Sequence, residues 1–560
     1  MTDRENPARP VLSVIVAAHD AEPWIGELLE SIGAQDIPRA EVIVVENGSS
    51  DGTVDAVAAR QTAFPAIQLV RSAASSAAAA RNEGVAIARG EYLVFADADD
   101  IIPDGAYRAM LESLEASGSD MAIGNHLKFS ANRTWSPTER WHPFDRDLRA
   151  VRPSEVPTLL SGRACWNRMF RRTFWDRAEL RFPDVASVED IEPMTRAFVA
   201  ANSTDVVPAC VYLYRERGDA SSLSLQADAA VTVRYLEQEL MCAALVSDDP
   251  VLRSQHAAIV LDADGWAHLH RFLSSGPDDR SVAEVASASA RLLERIPLDG
   301  LTDVAPIRRV LWLLVLGGDW QAARAFVVGT SSTSSSDRLE AWVGAVGVLG
   351  RTRPAAARAS ASGGLVPAFV NSAEDVAVER IAGWLPAIRG LGIEPSGKSA
   401  LVDAMVAAMQ SGDAEAVVRV SSLRRVVPLV VDRVVLTAEG MVIEGPGDLR
   451  VHATGTAVEL AGPDVHRFAL SRGVAPDRWR ALVTASDLSL GRYTTAVVFA
   501  GVAERFPVVT ARMPLPPVGD ELPVQPLADR KNGWRFLIDR RAQRRRGIGG
   551  ALTKIRRRFG

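Results

Sequence analysis

At 560 residues, with 47% hydrophobic and 24% charged side chains, the chain has an ordinary globular composition and is too long for one core, so roughly three or four domains are expected. Its net charge of −6 is unevenly spread: residues 530–560 carry twelve Lys/Arg against Asp539 alone, +11, which leaves −17 on the rest, an acidic body that would repel nucleic-acid phosphates. The start MTDRENPARP is too polar for a signal peptide, no stretch approaches the ~20 apolar residues of a membrane span, and the three scattered cysteines, Cys165, Cys210 and Cys242, argue against a disulfide framework, so a cytoplasmic setting is expected.

A disordered N-terminus is expected over residues 1–10. VLSVIVAAHD at 11–20 is a continuous β-branched run, the pattern of a strand buried on both faces of a parallel sheet. EPWIGELLESIGAQ follows with apolar residues at helical spacing, then the strand-like EVIVVENGSSDGT, a second helix pattern, AIQLVRS, the helix-like SSAAAARNEGVAIARG, and EYLVFADADD at 91–100. Alternation of this kind predicts an α/β sheet with ligands at the C-terminal ends of its strands, which puts ENGSSDG and ADADD on one rim. Residues 227–425 read as helical, 426–517 as a small β-sandwich of short strands cut by Gly, Pro and Asp, and 518–560 as a Pro-rich linker with a basic tail.

The last of the first set of strands ends in Asp97, Asp99 and Asp100, three carboxylates within four positions. Like charges this close disfavour one another's ionisation unless a cation sits among them, and hard divalent ions take oxygen ligands. A turn or a helix cap would use the same residues.

Four stretches taken together, SVIVAAHDAEPWIGELLESIGAQ, EVIVVENGSSDGT, AAARNEGVAIARGEYLVFADADD and CWNRMFRR…RFPDVASVEDIEPMTRAF…VYLYRERGDASSLS, resemble the family 2 glycosyltransferases of GT-A fold in order and spacing over residues 11–226. The resemblance implies an α/β nucleotide-sugar-binding GT-A domain, an inverting transfer, and Asp97 and Asp99 as a DxD pair holding Mg²⁺ or Mn²⁺ on a nucleotide diphosphate; Asp97 is open to a ribose contact as well. It implies nucleotide contacts for Ala17 and for Glu46, where an aspartate is usual, orientation of nucleotide and sugar by Arg81 and Asn82, and an acceptor side at Trp166 and Asn167 with Arg168 as a phosphate fork. Asp190 is the implied base with Glu189 beside it, and Arg217 the implied neutraliser of the diphosphate. Each has a plainer alternative: Glu46 in a turn, Asp190 as a helix cap, Trp166 in the core, Arg81 and Arg217 as solvated arginines. Trp135, Arg140 and Trp141 fall where such enzymes vary their acceptor loops; packing of the Trp rings against the sheet is the equal alternative.

The implied donor is a nucleotide sugar, a UDP-sugar first among them, and the implied acceptor a glycan or polyol phosphate of a cell-surface polymer or its lipid-linked precursor. The layout is also similar to that of wall-teichoic-acid-type glycosyltransferases, which implies a possible homo-oligomer through the β module. Basic residues interleaved with Trp534, Phe536, Leu537, Ile538, Ile548, Leu552, Ile555 and Phe559 suit an anionic membrane surface, hence peripheral association with the inner face of the membrane; a disordered solvated tail or a nucleic-acid contact is the alternative. Two rival readings are a polyol-phosphate transferase with a CDP-activated donor and a non-catalytic binding protein on the same fold.

Overall fold

The computed structural model describes residues 9–538 except 63, 65, 75, 139–141, 218–227, 398, 425–428, 438–439, 448–455, 473–476, 490, 500–501, 503–504, 511–523 and 528–534. It divides into two compact units, Met1–Trp320 and Gln321–Gly560.

The first unit opens with β1 (Leu12–Ala18), α1 (Ile25–Gly33), β2 (Ala40–Glu46), α2 (Thr53–Gln61), β3 (Ile67–Arg71), α3 (Ala77–Ile87), β4 (Tyr92–Asp97) and α4 (Ala106–Ser117). It continues through β5 (Met121–Ser130), β6 (Arg133–Trp135), β7 (Leu148–Val151), β8 (Arg168–Arg171), α5 (Arg172–Arg177), α6 (Ile191–Ala200) and β9 (Thr204–Arg215). Five helices close it: α7 (Ala229–Leu245), α8 (Pro250–Asp262), α9 (Asp264–Ser274), α10 (Asp279–Leu293) and α11 (Pro306–Leu316).

The strands form one mixed sheet in the order β3-β2-β1-β4-β8-β5-β9-β7, with β6 paired to β5. β1, β2, β3 and β4 run parallel, as the βαβ alternation predicts, and β8 turns the direction by pairing antiparallel to both β4 and β5. Val14 and Val16 of β1 enter the core on one face and Ile15 the core on the other, which is why this strand reads as an unbroken apolar run. The register sets Ala18 opposite Glu46 and Ala17 opposite Asp97, so three strand ends meet on one rim. α3 lies close over β1 because residue 84 is glycine: a Cβ there would stand 2.5 Å from Ile15 Cγ2.

The helical stretch expected as one domain is divided. α7 to α11 belong to the first unit, held by a buried network that crosses the expected boundary at 226: Arg163 Nη1 donates to Glu239 Oε2 of α7 at 2.7 Å, and His256 Nε2 stands 2.8 Å from the same oxygen. The helices from Trp320–Thr330 to Ala414–Leu423 lead instead into the second unit, in which ten strands among the described residues form one mostly antiparallel sheet. That sheet runs past residue 517, since Val524–Leu527 and Arg535–Ile538 pair as strands within the stretch read as linker and tail. Four-residue strands, one containing Pro526, carry too little alternation to be recognised from sequence. Residues 539–560, and with them most of the tail assigned to a membrane surface, lie outside the described residues, as do Arg140 and Trp141. No helix among the described residues is long and apolar enough to cross a membrane.

Candidate functional site

The rim at the ends of β1, β2 and β4 carries the acids, and each of the three carboxylates after β4 has a distinct surrounding. Asp100 is spent on structure: Tyr212 Oη donates to its Oδ2 at 2.8 Å and the Arg215 amide to its Oδ1 at 2.6 Å, which ties the rim to β9. Burial, reinforced by the charges of Asp99 and Asp97, pushes its carboxyl well above the usual carboxylate range. Asp97 gives Oδ1 to Arg81 Nη2 at 2.6 Å and takes its amide hydrogen bond out to Tyr212 Oη at 2.9 Å. Asp99 gives Oδ2 to Arg217 Nε at 2.6 Å. Burial raises its carboxyl above the ordinary value, with Asp97 adding to the rise and Arg217 opposing it. Asp97 and Asp99 therefore each commit one oxygen to an arginine, whereas Asp100 commits both to fixed donors. Two hard carboxylates, each with a second oxygen beyond its arginine bond, fit Mg²⁺ or Mn²⁺, which need few protein ligands when phosphate supplies the rest. Another group able to hold an ion among the described residues, Glu239, Cys242 and His256, is wholly buried, and Arg163 already neutralises its carboxylate.

Arg81 joins this rim to the loop before α6. It stands on α3, buried, with Nη1 on Glu189 Oε1 and Nη2 on Asp97 Oδ1, each at 2.6 Å. Asn82, its neighbour, grips the same loop: Nδ2 donates to the Phe182 carbonyl at 2.7 Å and Oδ1 accepts from the Phe182 amide at 3.0 Å. The loop then passes through Val188 at φ +58°, a left-handed conformation costly for a β-branched residue, and delivers Glu189 and Asp190 side by side.

Asp190 takes the N-cap position of α6, yet its side chain makes no capping bond. That separates it from the cap alternative. Burial first, then the charge of Glu189, lifts its carboxyl to about 7, against the pull of Arg81. A carboxyl at that value is half-ionised near neutral pH and able to accept a proton.

The other residues singled out from sequence make contacts within the protein. Asn82 holds the loop through the Phe182 backbone. Trp166 is 7% exposed, stacked on Tyr212 with ring centres 4.3 Å apart and edge-on to His126 at 4.8 Å, so it packs inside. Asn167 donates to the Gly124 carbonyl at 2.8 Å. Arg168, expected as a phosphate fork, is buried and donates to the carbonyls of Gly162 and Ala164, with burial lowering its guanidinium to about 10. Glu46 is buried and accepts from the Ser49 amide, holding the turn after β2, while Ala17 remains half-buried at the rim. Trp135 is half-buried beneath Arg133, whose guanidinium carbon lies 4.1 Å from the ring centre.

Sequence reasoning passed over Tyr212, Arg215 and Trp24. Arg215 Nε donates to the Asp99 carbonyl at 2.7 Å and Nη2 to Glu27 at 2.6 Å, and Arg217 lies over Trp24 with its guanidinium carbon 4.3 Å from the ring centre. The run YLYRER held the signal, because tyrosines and arginines crowded at a strand end have to answer some nearby negative charge.

Residues 13–177 match the family described as "Glycosyl transferase family 2". This segment is a family 2 glycosyltransferase domain. The domain is 26% identical over 215 residues to an uncharacterised glycosyltransferase, EpsJ, of Bacillus subtilis, a match covering 37% of this chain and 61% of that one. It is 28% identical over 228 residues to the succinoglycan biosynthesis protein ExoO of Rhizobium meliloti, covering 39% and 64%. To the poly(ribitol-phosphate) beta-N-acetylglucosaminyltransferase TarS of Staphylococcus aureus it is 25% identical over 217 residues, covering 38% and 36%. The chain thus spans under two thirds of the length of these relatives. Among solved structures, residues 1–349 of S. aureus TarS in complex with UDP-GlcNAc align at 19% identity with a TM-score of 0.46, over 57% of this chain and 91% of that one.

Proposed function

We propose that the chain is an inverting, metal-dependent glycosyltransferase that moves a sugar from a nucleoside-diphosphate donor to a hydroxyl of a cell-surface glycan or its lipid-linked precursor. The observation that carries this reading is Asp190: a carboxylate raised to about 7, without a capping bond, set beside Glu189 and linked through Arg81 to the acids of the donor rim. The acceptor class rests on the relatives named for succinoglycan and poly(ribitol-phosphate) chemistry.

Asp97 and Asp99 would hold the cation, which supplies Lewis-acid stabilisation of the charge that grows on the departing diphosphate. Arg217 adds a second positive charge on that side. Asp190 accepts the proton of the acceptor hydroxyl as its oxygen bonds to the anomeric carbon and the bond to the phosphate oxygen breaks. The proton then passes from Asp190 to solvent. Arg81 keeps Glu189 and Asp97 in place, and Ala17 and Glu46 stand where the nucleoside would lie along the rim.

Asp190→Asn is expected to retain donor affinity in calorimetry and to lower turnover by a factor on the order of 10² to 10⁴. Near wild-type transfer by that variant would remove Asp190 from the role.

A further inference from the structure

Resting on the donor-site reading above, we propose that Arg217 is a resident competitor of the cation at Asp99, so that cation and nucleotide bind cooperatively by displacing it. Two arginines sit on the acid pair, and they are held differently. Arg81 is a fixture: its side chain is 7% exposed, and it is pinned at one nitrogen by Asp97 and at another by Glu189. Arg217 is 25% exposed and reaches Asp99 Oδ2 through Nε at 2.6 Å, with its guanidinium lying against Trp24. Through Nε it has one carboxylate; its remaining donors make no hydrogen bond among the described residues. Arg215 cannot substitute for it, since Nε is committed to the Asp99 carbonyl and Nη2 to Glu27.

A guanidinium and a divalent ion on the same carboxylate repel each other, so the ligand-free protein shields Asp99 with a side chain it can release. A diphosphate reverses the balance. Its oxygens offer Arg217 a bidentate partner, which suits the planar fork, and they complete the ligand set of an ion at Asp97 and Asp99. Coupling of this kind is reciprocal: the nucleotide must tighten the cation by the same factor as the cation tightens the nucleotide. Trp24 is the resting place that Arg217 leaves, and it gives the parked side chain an additional hold.

The test uses the full chain and measures Mn²⁺ affinity alone by electron paramagnetic resonance. It also measures the affinity, with and without Mn²⁺, of whichever of UDP, GDP, CDP and dTDP most raises the melting temperature of the wild type. Arg217→Ala is expected to tighten Mn²⁺ alone by about ten-fold, the worth of one charge-assisted bond, and to weaken the nucleotide in the presence of Mn²⁺. Trp24→Leu is expected to tighten Mn²⁺ alone by a few-fold while keeping the nucleotide affinity, because the phosphate-binding charge remains; it decides the matter if Arg217→Ala does not fold. Unchanged or weaker Mn²⁺ binding in these variants, with the wild type still binding nucleotide and Mn²⁺ together, overturns the competition and leaves the donor site standing. A wild type that binds none of the four nucleotides with Mn²⁺ overturns both.

Discussion

Glu189→Gln isolates what sets the proton affinity of Asp190. The substitution removes a neighbouring negative charge and also frees Arg81 from one of its two carboxylates, and both changes favour ionised Asp190. Adjacent carboxylates roughly 6 to 8 Å apart repel by ~2 to 3 kcal/mol at an effective dielectric of about 20. At ~1.4 kcal/mol per pH unit, this predicts a fall of one to two units from the starting value of about 7, with burial keeping the rest of the rise. A base works only when ionised, so activity is lost as pH falls through its pKa. The acid limb of the pH–rate profile should therefore move to lower pH by roughly one to two units in the variant. A cation on Asp97 and Asp99 lowers the limb in both proteins, so the difference between them is the quantity to read. Release of nucleoside diphosphate, followed from pH 4.5 to 9 at saturating donor, gives the profile. Coincident acid limbs in the two proteins would refute this account of Asp190.

Asp190→Asn has a consequence for stability as well. A carboxyl whose folded value is raised from 3.8 to about 7 destabilises the fold increasingly as pH climbs through that window, with a ceiling of ~4 kcal/mol. The melting temperature of the variant should exceed wild type above pH 7, and the two should converge below about pH 4. Gly84→Ala should cost about 1 to 2 kcal/mol in chemical denaturation and weaken donor binding, since the new Cβ pushes α3, and Arg81 with it, off β1. Asn82→Ala should lower kcat with little change in donor affinity, because it frees the loop before Asp190 and leaves Asp97 and Asp99 alone; equal losses in both would contradict this. A fragment ending at residue 226 should fail to fold, with Arg163 buried and deprived of Glu239, whereas one ending at 320 should melt cooperatively by circular dichroism.

The parallel strands and their rim were legible because β-branched runs and the βαβ rhythm are local signals, and Asp97 and Asp99 stand out by charge alone. Asp190 was legible only as a choice between base and cap; the missing capping bond is a tertiary fact that no spacing encodes. The protein contacts of Asn82, Trp166, Asn167 and Arg168 were not legible, for one shared reason. A polar or aromatic residue near a site reads alike whether it faces a ligand or holds the backbone beside it, and only the partner, such as the Phe182 backbone or the Tyr212 ring, tells them apart. The tie of α7 to the strand-bearing part was not legible because Arg163 and Glu239 lie 76 positions apart in sequence.

β1 is hydrogen-bonded along its length to β2 on one side and β4 on the other, and covered on both faces. Its amides should be among the slowest to exchange with deuterated water in the first unit, and the donor rim is mounted on them. The loop carrying Asp190 is held instead by side chains: Arg81 and Asn82 of α3, Ser76 on Asp184, Arg234 on Ser187, and Phe182 seated in the core. The two halves of the site are thus mounted differently: the acids at the ends of β1, β2 and β4 ride on the middle of the sheet, and Asp190 rides on side-chain ties that single substitutions can release.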